Sequence, residues 1–359
     1  MNVFTDTCDD PAMDTIDHVR AAQQQFTDQS GYLNTATHGL LPHRARNALA
    51  QHTHEVATGR FRLDRADAGI ARVRASYARL VGVDPDRVAQ GTHVAQFVGL
   101  VAASLPSGAE VLVPENEFAS LVLPFTARGD LRVREVPLEH LPEEVGPTTS
   151  LVAVSAVQSA DGALAPLEDL RTACVDHGAR SVVDTTQAAG WLPLSASHYD
   201  YTVCSAYKWL LGTRGSAFLT GTEESLAALP PLAANWYSAA DTENSLYGIS
   251  VRQADDASRF DLPPIWSAWV SLENSLSLVE EVGVEAIHAH DVGLADGLRA
   301  ALDLEPKGSA IVSLEVSPRT AERVAATGIT TAARDGRMRA AFHLYNTVED
   351  IDRLVQALR

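Results

Sequence analysis

Lysine is nearly missing from this chain of 359 residues, since Lys208 and Lys307 are the only two among 28 basic residues. A lysine retained in such a chain suggests chemistry that a guanidinium group cannot perform, such as losing a proton and attacking a carbonyl carbon. Lys307 lies in the polar turn EPKGS, whereas Lys208 lies in the apolar run YTVCSAYKWLLG. Lys208 is therefore either a reactive amine or a lysine that extends its charged end to solvent from the end of a strand.

Cysteine is also scarce, and the three cysteines, Cys8, Cys174 and Cys204, lie far apart without any CxxC spacing. This pattern excludes a disulfide framework and a cysteine-based zinc site, and it fits a reducing compartment. The chain has 12 histidines but no HExxH spacing, so we expect no metal site.

The chain lacks an excess of positive charge and any long hydrophobic run. Its 46 acidic residues give a formal net charge of −18, which disfavours binding to nucleic acid or to anionic lipid. No segment offers about 18 uninterrupted apolar residues, and the N-terminus has no apolar stretch typical of a signal peptide. We therefore expect a cytoplasmic protein with a small-molecule substrate and with no membrane or nucleic-acid partner.

Short β-branched runs alternate with amphipathic stretches from about residue 33 to residue 222. This alternation predicts an α/β fold in which a mostly parallel sheet lies between helices, and ligands of such sheets bind beyond the carboxyl ends of the strands. The predicted strands include AEVLVPE, LRVREVPL, SLVAVSAV, RSVVDTT, YDYTVCSA and GSAFLTG.

The later part of the chain has a different texture. Residues 222–264 are rich in Pro, Asn, Asp and Ser, which predicts a long excursion with little regular structure. After it, helices and strands alternate again up to a C-terminal helix opened by the capping pair Thr347 and Asp350. We predict an N-terminal segment (1–30) that packs on the small domain, a large ligand-binding domain (31–254) and a small C-terminal domain (255–359).

Three features could share one site at the edge of the predicted sheet. Asp184 ends the apolar strand of SVVDTTQAAG, where it either pairs with a positive group or caps the next helix. Lys208 follows one strand later. Residues 91–93 precede the helix VAQFVGLVAASL, whose free N–H groups would bind an anion such as phosphate, although a threonine there is also an ordinary helix cap.

A buried carboxylate, a lysine that can lose its proton and an anion-binding helix start are the parts needed to hold pyridoxal 5′-phosphate (PLP). The lysine bonds to the aldehyde carbon, the carboxylate keeps the ring nitrogen protonated and the helix start binds the phosphate. Neither GxxxxGK[ST] nor GxGxxG follows a predicted strand, so the sequence does not favour a nucleotide.

With these residues the chain resembles the class V aminotransferases of PLP fold type I, a family that includes cysteine desulfurases, kynureninases and related carbon–sulfur lyases. The resemblance implies a large domain built on a mostly parallel sheet, a smaller α+β C-terminal domain and a homodimer with the site near its interface. The matching stretches run in order along the chain and are YLNTATHGLLP, GTHVAQFVGLVA, PENEFASLVLPF, VDTTQAAG, CSAYKWLLGTRG and MRAAFHLYNTVEDIDRLVQAL.

The resemblance also implies a role for the motif residues. Lys208 would bond to PLP, Asp184 would pair with the ring nitrogen and Arg339 would bind the α-carboxylate of the substrate, with Arg337 on the same strand face as the alternative clamp. The other cofactor contacts that it implies are Thr92, His93, Phe118, Gln187, Ser205 and Tyr207.

Several positions depart from the family pattern. Phe118 and Tyr207 replace the usual histidines, so no stacked imidazole can carry protons. His38 is a candidate acid or base, or simply a turn residue before Gly39. Trp236 and Tyr237 are candidates for shaping a substrate pocket, although packing at a dimer interface would explain them equally well.

These features favour a PLP-dependent carbon–sulfur lyase that cleaves an S-substituted cysteine conjugate by β-elimination in thiol or secondary metabolism. Desulfurases of the family use a cysteine in the C-terminal third, and no cysteine follows Cys204 here. The arginine-rich composition is similar to that of actinobacterial chains, whose family members process conjugates in ergothioneine and lincosamide pathways. Transamination, decarboxylation coupled to oxidative deamination and a non-catalytic scaffold remain alternatives.

Overall fold

The computed structural model describes residues 11–26 and 31–359, so Cys8 lies outside the described residues. A seven-stranded sheet forms the centre of the protein. Its strands are β1 (Val88–Gly91), β2 (Glu110–Pro114), β3 (Arg132–Val136), β4 (Thr149–Ser155), β5 (Arg180–Asp184), β6 (Tyr201–Ser205) and β7 (Ala217–Gly221). They lie in the order β1-β7-β6-β5-β4-β2-β3. Five neighbouring strands, from β3 to β6, are parallel, whereas β7 is antiparallel to β6 and β1. The predicted α/β fold with a mostly parallel sheet is confirmed.

Helices cover both faces of this sheet, which explains why its strands are almost continuously apolar. In β4, Val152 and Val154 join the hydrophobic core on one face, while Leu151 and Ala153 join the core on the other. Successive side chains of a strand point to opposite faces, so a strand buried on both sides needs an apolar residue at nearly every position. The helices of the first two thirds of the chain are α1 (Pro11–Gln23), α2 (His43–Ala57), α3 (Leu63–Val81), α4 (Val94–Ser104), α5 (Ala119–Thr126), α6 (Leu167–His177) and α7 (Glu223–Ala228).

The C-terminal part contains a second, three-stranded antiparallel sheet. Its strands are β8 (Ile311–Leu314), β9 (Ala332–Arg334) and β10 (Arg337–Ala341), in the order β8-β10-β9. The helices here are α8 (Trp266–Val282), α9 (Val284–Ala301), α10 (Pro318–Ala326) and α11 (Val348–Leu358). Asp350 accepts a hydrogen bond from the backbone N–H of Thr347 at 3.2 Å, so the predicted capping pair does open α11.

Contacts between the predicted domains are extensive. Helix α8 packs mainly against α2 and α3, and α1 contacts α8 and α9. The chain from residue 31 to residue 34 pairs with both Thr330 and Ala341 of the C-terminal part. The division at residues 30 and 254 stays a prediction.

Strand β1 and helix α7 were not predicted from the sequence. Strand β1 is only four residues long and its sequence, VAQG, has no alternating pattern, yet it pairs with β7 along its whole length. The long excursion after β7 includes the short helix α7, which Thr222 caps by accepting a hydrogen bond from the backbone N–H of Ser225. No described helix is long and apolar enough to cross a membrane.

Candidate active site

The carboxyl ends of β5 and β6 open into a cavity of about 300 Å³. Asp184 is the last residue of β5, Ser205 is the last residue of β6, and Lys208 lies in the turn that follows. Because neighbouring parallel strands end at the same edge of a sheet, these residues meet although they are far apart in sequence. The residues that line the cavity are His93, Val94, Ala95, Phe118, Ser120, Ser155, Ser159, Asp184, Thr186, Gln187, Ser205, Tyr207, Lys208 and Arg214.

Asp184 and Lys208 are both buried, with exposed fractions of 5% and 6%. Burial raises the pKa of Asp184 to about 6, although a hydrogen bond of 2.8 Å from the backbone N–H of Thr186 acts in the opposite direction. Burial likewise lowers the pKa of Lys208 to about 8, and the charge of Asp184 opposes that shift. The amine can therefore lose its proton near neutral pH, as a nucleophilic or basic lysine must.

One end of the cavity is built to receive an anion. His93 is the N-cap residue of α4, and His93, Val94 and Ala95 all line the cavity, so the start of this helix, where backbone N–H groups lack partners within the helix, borders the cavity. Ser205 and Tyr207 lie at the same cavity. Arg214, which the sequence analysis did not select, stacks with its guanidinium carbon 4.3 Å from the centre of the Tyr207 ring. The sequence signal that could have identified Arg214 is its position in the loop just after Lys208.

Phe118 is the aromatic wall of the cavity. The amine nitrogen of Lys208 lies 5.7 Å from the centre of its ring. Glu117 holds the surroundings in place, because its carboxylate accepts hydrogen bonds from Ser155 and from the side-chain amide of Gln158. Sequence reasoning missed Glu117, whose role depends on contacts with a strand that lies almost forty residues later.

Gln187 is oriented by two hydrogen bonds. Its Nε2 donates to the carbonyl of Ala36 at 2.9 Å, and its Oε1 accepts from the indole of Trp209 at 2.8 Å. An amide nitrogen carries two hydrogens, so one N–H remains available to a ligand oxygen in the cavity.

Arg339 lies beside the cavity with an exposed fraction of 1%. Its Nη1 donates to the carbonyl of Ser159, a residue of the cavity wall, and its Nη2 donates to the hydroxyl of Thr37 at 2.7 Å. Its Nε has no hydrogen-bond partner, and no carboxylate of the described residues forms an ion pair with it. Burial, followed by the charge of Arg334, lowers the pKa of Arg339 to about 10. A buried arginine without an anion is suited to a substrate carboxylate.

The remaining predicted site residues lie outside the cavity lining. His38 donates from Nδ1 to the Gly39 carbonyl at 2.6 Å, and its ring lies 5.9 Å from that of Tyr207. Thr92 contacts His93 and Gln96 at the start of α4. Their predicted roles stay predictions.

The structure does not bring Trp236 and Tyr237 to the residues around Lys208. The hydroxyl of Tyr237 donates to Asp67 of α3 at 3.1 Å, and its backbone N–H donates to the side chain of Asn235. The ring of Trp236 lies 5.3 Å from that of Tyr237, which contacts α3. Neither residue lines the cavity that contains Lys208, and their predicted part in a substrate pocket stays a prediction.

Burial disfavours the thiolate form of both described cysteines. Burial raises the pKa of Cys174 and of Cys204 to about 12, and the nearby charges of Asp200 and Asp184, respectively, add to the shift. In the part of the chain that the structure describes, no group of three or more His, Cys, Asp or Glu residues could hold a metal ion.

The residues of the cavity fit PLP. Lys208 supplies an amine that can be neutral, Asp184 supplies a buried carboxylate for a protonated ring nitrogen, and Phe118 supplies an apolar wall. The start of α4, Ser205 and Arg214 supply donors for a phosphate.

Comparisons with known proteins agree with this arrangement. The family described as aminotransferase class V matches residues 32–335. Isopenicillin N epimerase of Streptomyces clavuligerus is 28% identical, over 91% of this chain and 93% of that protein. A probable cysteine desulfurase of Aeropyrum pernix is 25% identical over the same shares of the two chains.

Solved structures show the same fold. The lysine-substituted form of C-DES with glycine covalently linked to its PLP cofactor has a TM-score of 0.84 and 22% identity, over 94% of this chain and 98% of that chain. The cysteine desulfurase CsdA from Escherichia coli has a TM-score of 0.81 and 21% identity, over 99% and 98% of the two chains.

Proposed function

The chain belongs to the class V aminotransferase family of PLP-dependent enzymes, and on that premise we propose that it is a carbon–sulfur lyase acting on an S-substituted cysteine. The reaction removes the α-proton, breaks the bond between the β-carbon and sulfur, and consumes one water to give a thiol, pyruvate and ammonia. The supporting observation is a cavity that contains Lys208 and adjoins Arg339, a buried arginine without a carboxylate partner among the described residues, in a chain whose two described cysteines have raised thiol pKa values.

PLP supplies an electron-accepting ring that stabilises negative charge at the α-carbon of a bound amino acid. Lys208 would bond to it, Asp184 would pair with its ring nitrogen, and the remaining N–H of Gln187 would donate to its ring oxygen. Ser205, Arg214 and the first turn of α4 would hold its phosphate.

Lys208 is the group suited to moving the α-proton. With its pKa lowered to about 8, the amine is a base that can accept a proton near neutral pH and return it later. Phe118 forms the facing wall and carries no proton. An elimination needs only one proton-transfer group at the α-carbon, which this arrangement provides.

Arg339 would bind the α-carboxylate of the substrate. Its Nη1 and Nη2 are held by the Ser159 carbonyl and the Thr37 hydroxyl, so the guanidinium plane is already fixed when the substrate arrives. Such preorganisation reduces the entropy lost on binding and orients the α-carbon.

Persulfide formation by a protein thiolate is disfavoured. That chemistry needs a reactive cysteine, and the pKa values of Cys174 and Cys204 are both about 12. Cys204 is also almost fully buried. The raised pKa values of these two cysteines therefore do not suit the nucleophile that a desulfurase mechanism requires.

The test is incubation of the holoenzyme with S-ethyl-L-cysteine, with measurement of thiol, pyruvate and ammonia. We expect equal amounts of all three, and we expect Lys208→Ala to abolish both their release and the covalent bond between cofactor and chain, as measured by mass spectrometry after borohydride reduction. A sulfur-containing keto acid would instead indicate transamination, and carbon dioxide with an aldehyde would indicate decarboxylation. A chain that takes up no cofactor would be a scaffold.

Epimerisation is a second candidate, favoured by the 28% identity to isopenicillin N epimerase over 91% of the chain. Epimerisation and elimination both begin with removal of the α-proton. An epimerase then returns a proton to the α-carbon, whereas a lyase releases the sulfur substituent. The same incubation in deuterated water separates the two reactions, because an epimerase would return a deuterated, racemised amino acid without releasing thiol.

A further inference from the structure

Two guanidinium groups meet at one hydroxyl beside the cavity. Thr37 Oγ1 accepts a hydrogen bond from Nη2 of Arg339 at 2.7 Å and another from Nη2 of Arg334 at 3.3 Å. An oxygen that accepts twice has only its own hydrogen left to donate. The Thr37 hydroxyl and both guanidinium groups can therefore donate towards one place, where negative charge would be stabilised.

The described part of the chain does not supply a carboxylate partner for each of the cations Lys208, Arg334 and Arg339. Arg334 and Arg339 both disfavour the protonated form of Lys208, and Asp184 is the carboxylate that favours it. In the proposed function Asp184 pairs with the cofactor ring and Arg339 with the α-carboxylate of the substrate. Arg334, which is exposed to solvent, then has no carboxylate partner among the described residues.

Arg334 differs in this respect from its neighbour Arg337. The guanidinium of Arg337 pairs with Glu315 at 2.9 Å and donates to the hydroxyl of Ser313. Arg334 donates only to the carbonyl of Ala333 and to Thr37, and no ion pair within residues 11–26 and 31–359 includes it. The same small sheet thus carries one paired and one unpaired guanidinium, both at the edge of a cavity.

That second cavity has a volume of about 730 Å³ and adjoins the one that contains Lys208. The chain from Gln158 to Asp161 separates the two, since Ser159 lines the smaller cavity while its neighbours line the larger one. Arg334 and Arg337 also line the larger cavity, and Arg334 shares the hydroxyl of Thr37 with Arg339, which donates to the carbonyl of Ser159. A group attached to the substrate's sulfur can therefore extend past Ser159 towards Arg334.

The charges that line the larger cavity have both signs, so the cavity as a whole does not favour an anion. They are Glu115, Glu139, Asp161, Glu305 and Asp335 beside Arg299, Lys307, Arg334 and Arg337. The place where two guanidinium groups meet is Thr37, which Arg339 connects to Ser159, and this short path favours a short substituent.

We propose that Arg334 binds a second anionic group of the substrate, a carboxylate carried on a short substituent of the sulfur. The preferred substrate class is then an S-(carboxyalkyl)cysteine. The sulfur in this statement rests on the proposed lyase function, whereas the second anion rests on the contacts of Thr37, Arg334 and Arg339.

The test compares two amino acids of nearly equal shape, S-carboxymethyl-L-cysteine and its neutral amide, S-carbamoylmethyl-L-cysteine. Their dissociation constants for the holoenzyme are measured from the change in cofactor absorbance. We expect the carboxylate to bind at least about tenfold more tightly, since a hydrogen bond to a charged group contributes about 1.5–3 kcal/mol and 1.4 kcal/mol is tenfold. Arg334→Gln should remove this preference, and Arg334→Lys should keep part of it.

Arg337→Gln is the matched control, because Arg337 lies in the same sheet and lines the same cavity but already has a carboxylate partner. It should keep the full preference. Equal binding of the two probes by the wild-type protein, or an unchanged preference in Arg334→Gln with retained circular dichroism, would overturn the inference.

Thiol release separates this inference from the proposed function. If the carboxylate is preferred but no mercaptoacetate appears, the anion site stands and the lyase activity fails. If thiol is released from both probes and the two probes bind with equal affinity, the lyase activity stands and the anion site fails. If neither probe changes the absorbance, cysteine conjugates are not the substrates and both proposals fail.

Discussion

Lys208 is a cation that burial drives towards its neutral form. Few carboxylates lie near enough to offset that effect, and Asp184 is the one that raises the pKa of the amine. The same burial makes the carboxyl group of Asp184 easier to protonate. The two side chains therefore reach the cavity with less charge than they would carry in water, which suits a site whose ligand brings its own charges.

We expect the amine of Lys208 to show its lowered pKa in competitive acetylation of the cofactor-free protein. The neutral amine is the reactive form, so its labelling rate should rise with pH up to about 8 and then level off. An ordinary lysine would level off only near 10.4. The chain has two lysines, so mass spectrometry can follow Lys208 against the exposed Lys307.

Asp184→Asn tests the cause of this behaviour. Removing the carboxylate charge removes the interaction that raises the pKa of Lys208, so the pH at which labelling levels off should move below 8. If the labelling rate of Lys208 in the unsubstituted protein has its midpoint near pH 10, burial does not lower the pKa of this amine.

The sequence identified many residues of the site because they occur in short motifs at strand ends. Asp184, Gln187, Ser205, Tyr207 and Lys208 are all of this kind, and they line one cavity. Thr37, Glu117 and Arg334 could not be found this way. Their contacts join segments that lie tens to hundreds of residues apart, and no local pattern encodes such proximity.

At the scale of elements, the segment before α2 determines where the turn of Lys208 can lie. The N–H of Gly39 donates to the carbonyl of Tyr207 at 2.9 Å. A Cβ atom at Gly39 would lie 2.0 Å from the carbonyl oxygen of Lys208, which is far inside van der Waals contact. The close approach of these two backbones therefore requires glycine.

Gly39→Ala should destabilise the protein by about 1–3 kcal/mol, because the added methyl group must displace one of the two backbones. Cofactor uptake should weaken as well, since the displaced backbone carries Lys208. Urea unfolding and titration with PLP measure the two effects.

Gly99→Ala in α4 is the matched control. No atom lies within 4 Å of the position of the new Cβ, and alanine favours a helix over glycine by about 0.5–1 kcal/mol. This variant should be slightly more stable and should bind the cofactor normally. Equal behaviour of the two variants would show that the Gly39 contact is not tight.

The strands were easier to predict than their order. Buried parallel strands have apolar runs that can be read locally, and six of the seven strands of the large sheet were identified from them. Strand β1 was missed because VAQG gains its pairing only from β7, which is more than one hundred residues away. The antiparallel direction of β7 also follows from tertiary pairing and not from its sequence.

At the scale of the whole molecule, an exposed apolar segment lies on the excursion between β7 and α8. The side chains of Tyr247 and Ile249 have exposed fractions of 90% and 103%, and Leu246 is half exposed. Neighbouring apolar residues exposed in this way are typical of an interaction surface. The family resemblance implies a homodimer, and this segment is a candidate part of its interface.

We expect sedimentation equilibrium to give twice the monomer mass, and we expect the double substitution of Tyr247 and Ile249 by serine to weaken the dimer at least tenfold. Removing two large apolar side chains from an interface removes buried area that contributes about 25 cal/mol per Å². Val175 is an exposed apolar residue on α6, outside this segment, and Val175→Ser should leave association unchanged. A monomer at all concentrations would refute the predicted dimer.

The chain near Gly39 also ties the movement of one part of the protein to the chemistry of another. Residues 31–34 are bonded to the C-terminal sheet at Thr330 and Ala341, and five residues later the same strand of chain is bonded to the turn of Lys208. The C-terminal sheet that carries Arg339 and the turn that carries Lys208 are therefore bonded to the same short stretch of chain. A substitution that displaces this stretch should alter substrate binding and the position of the reacting amine together.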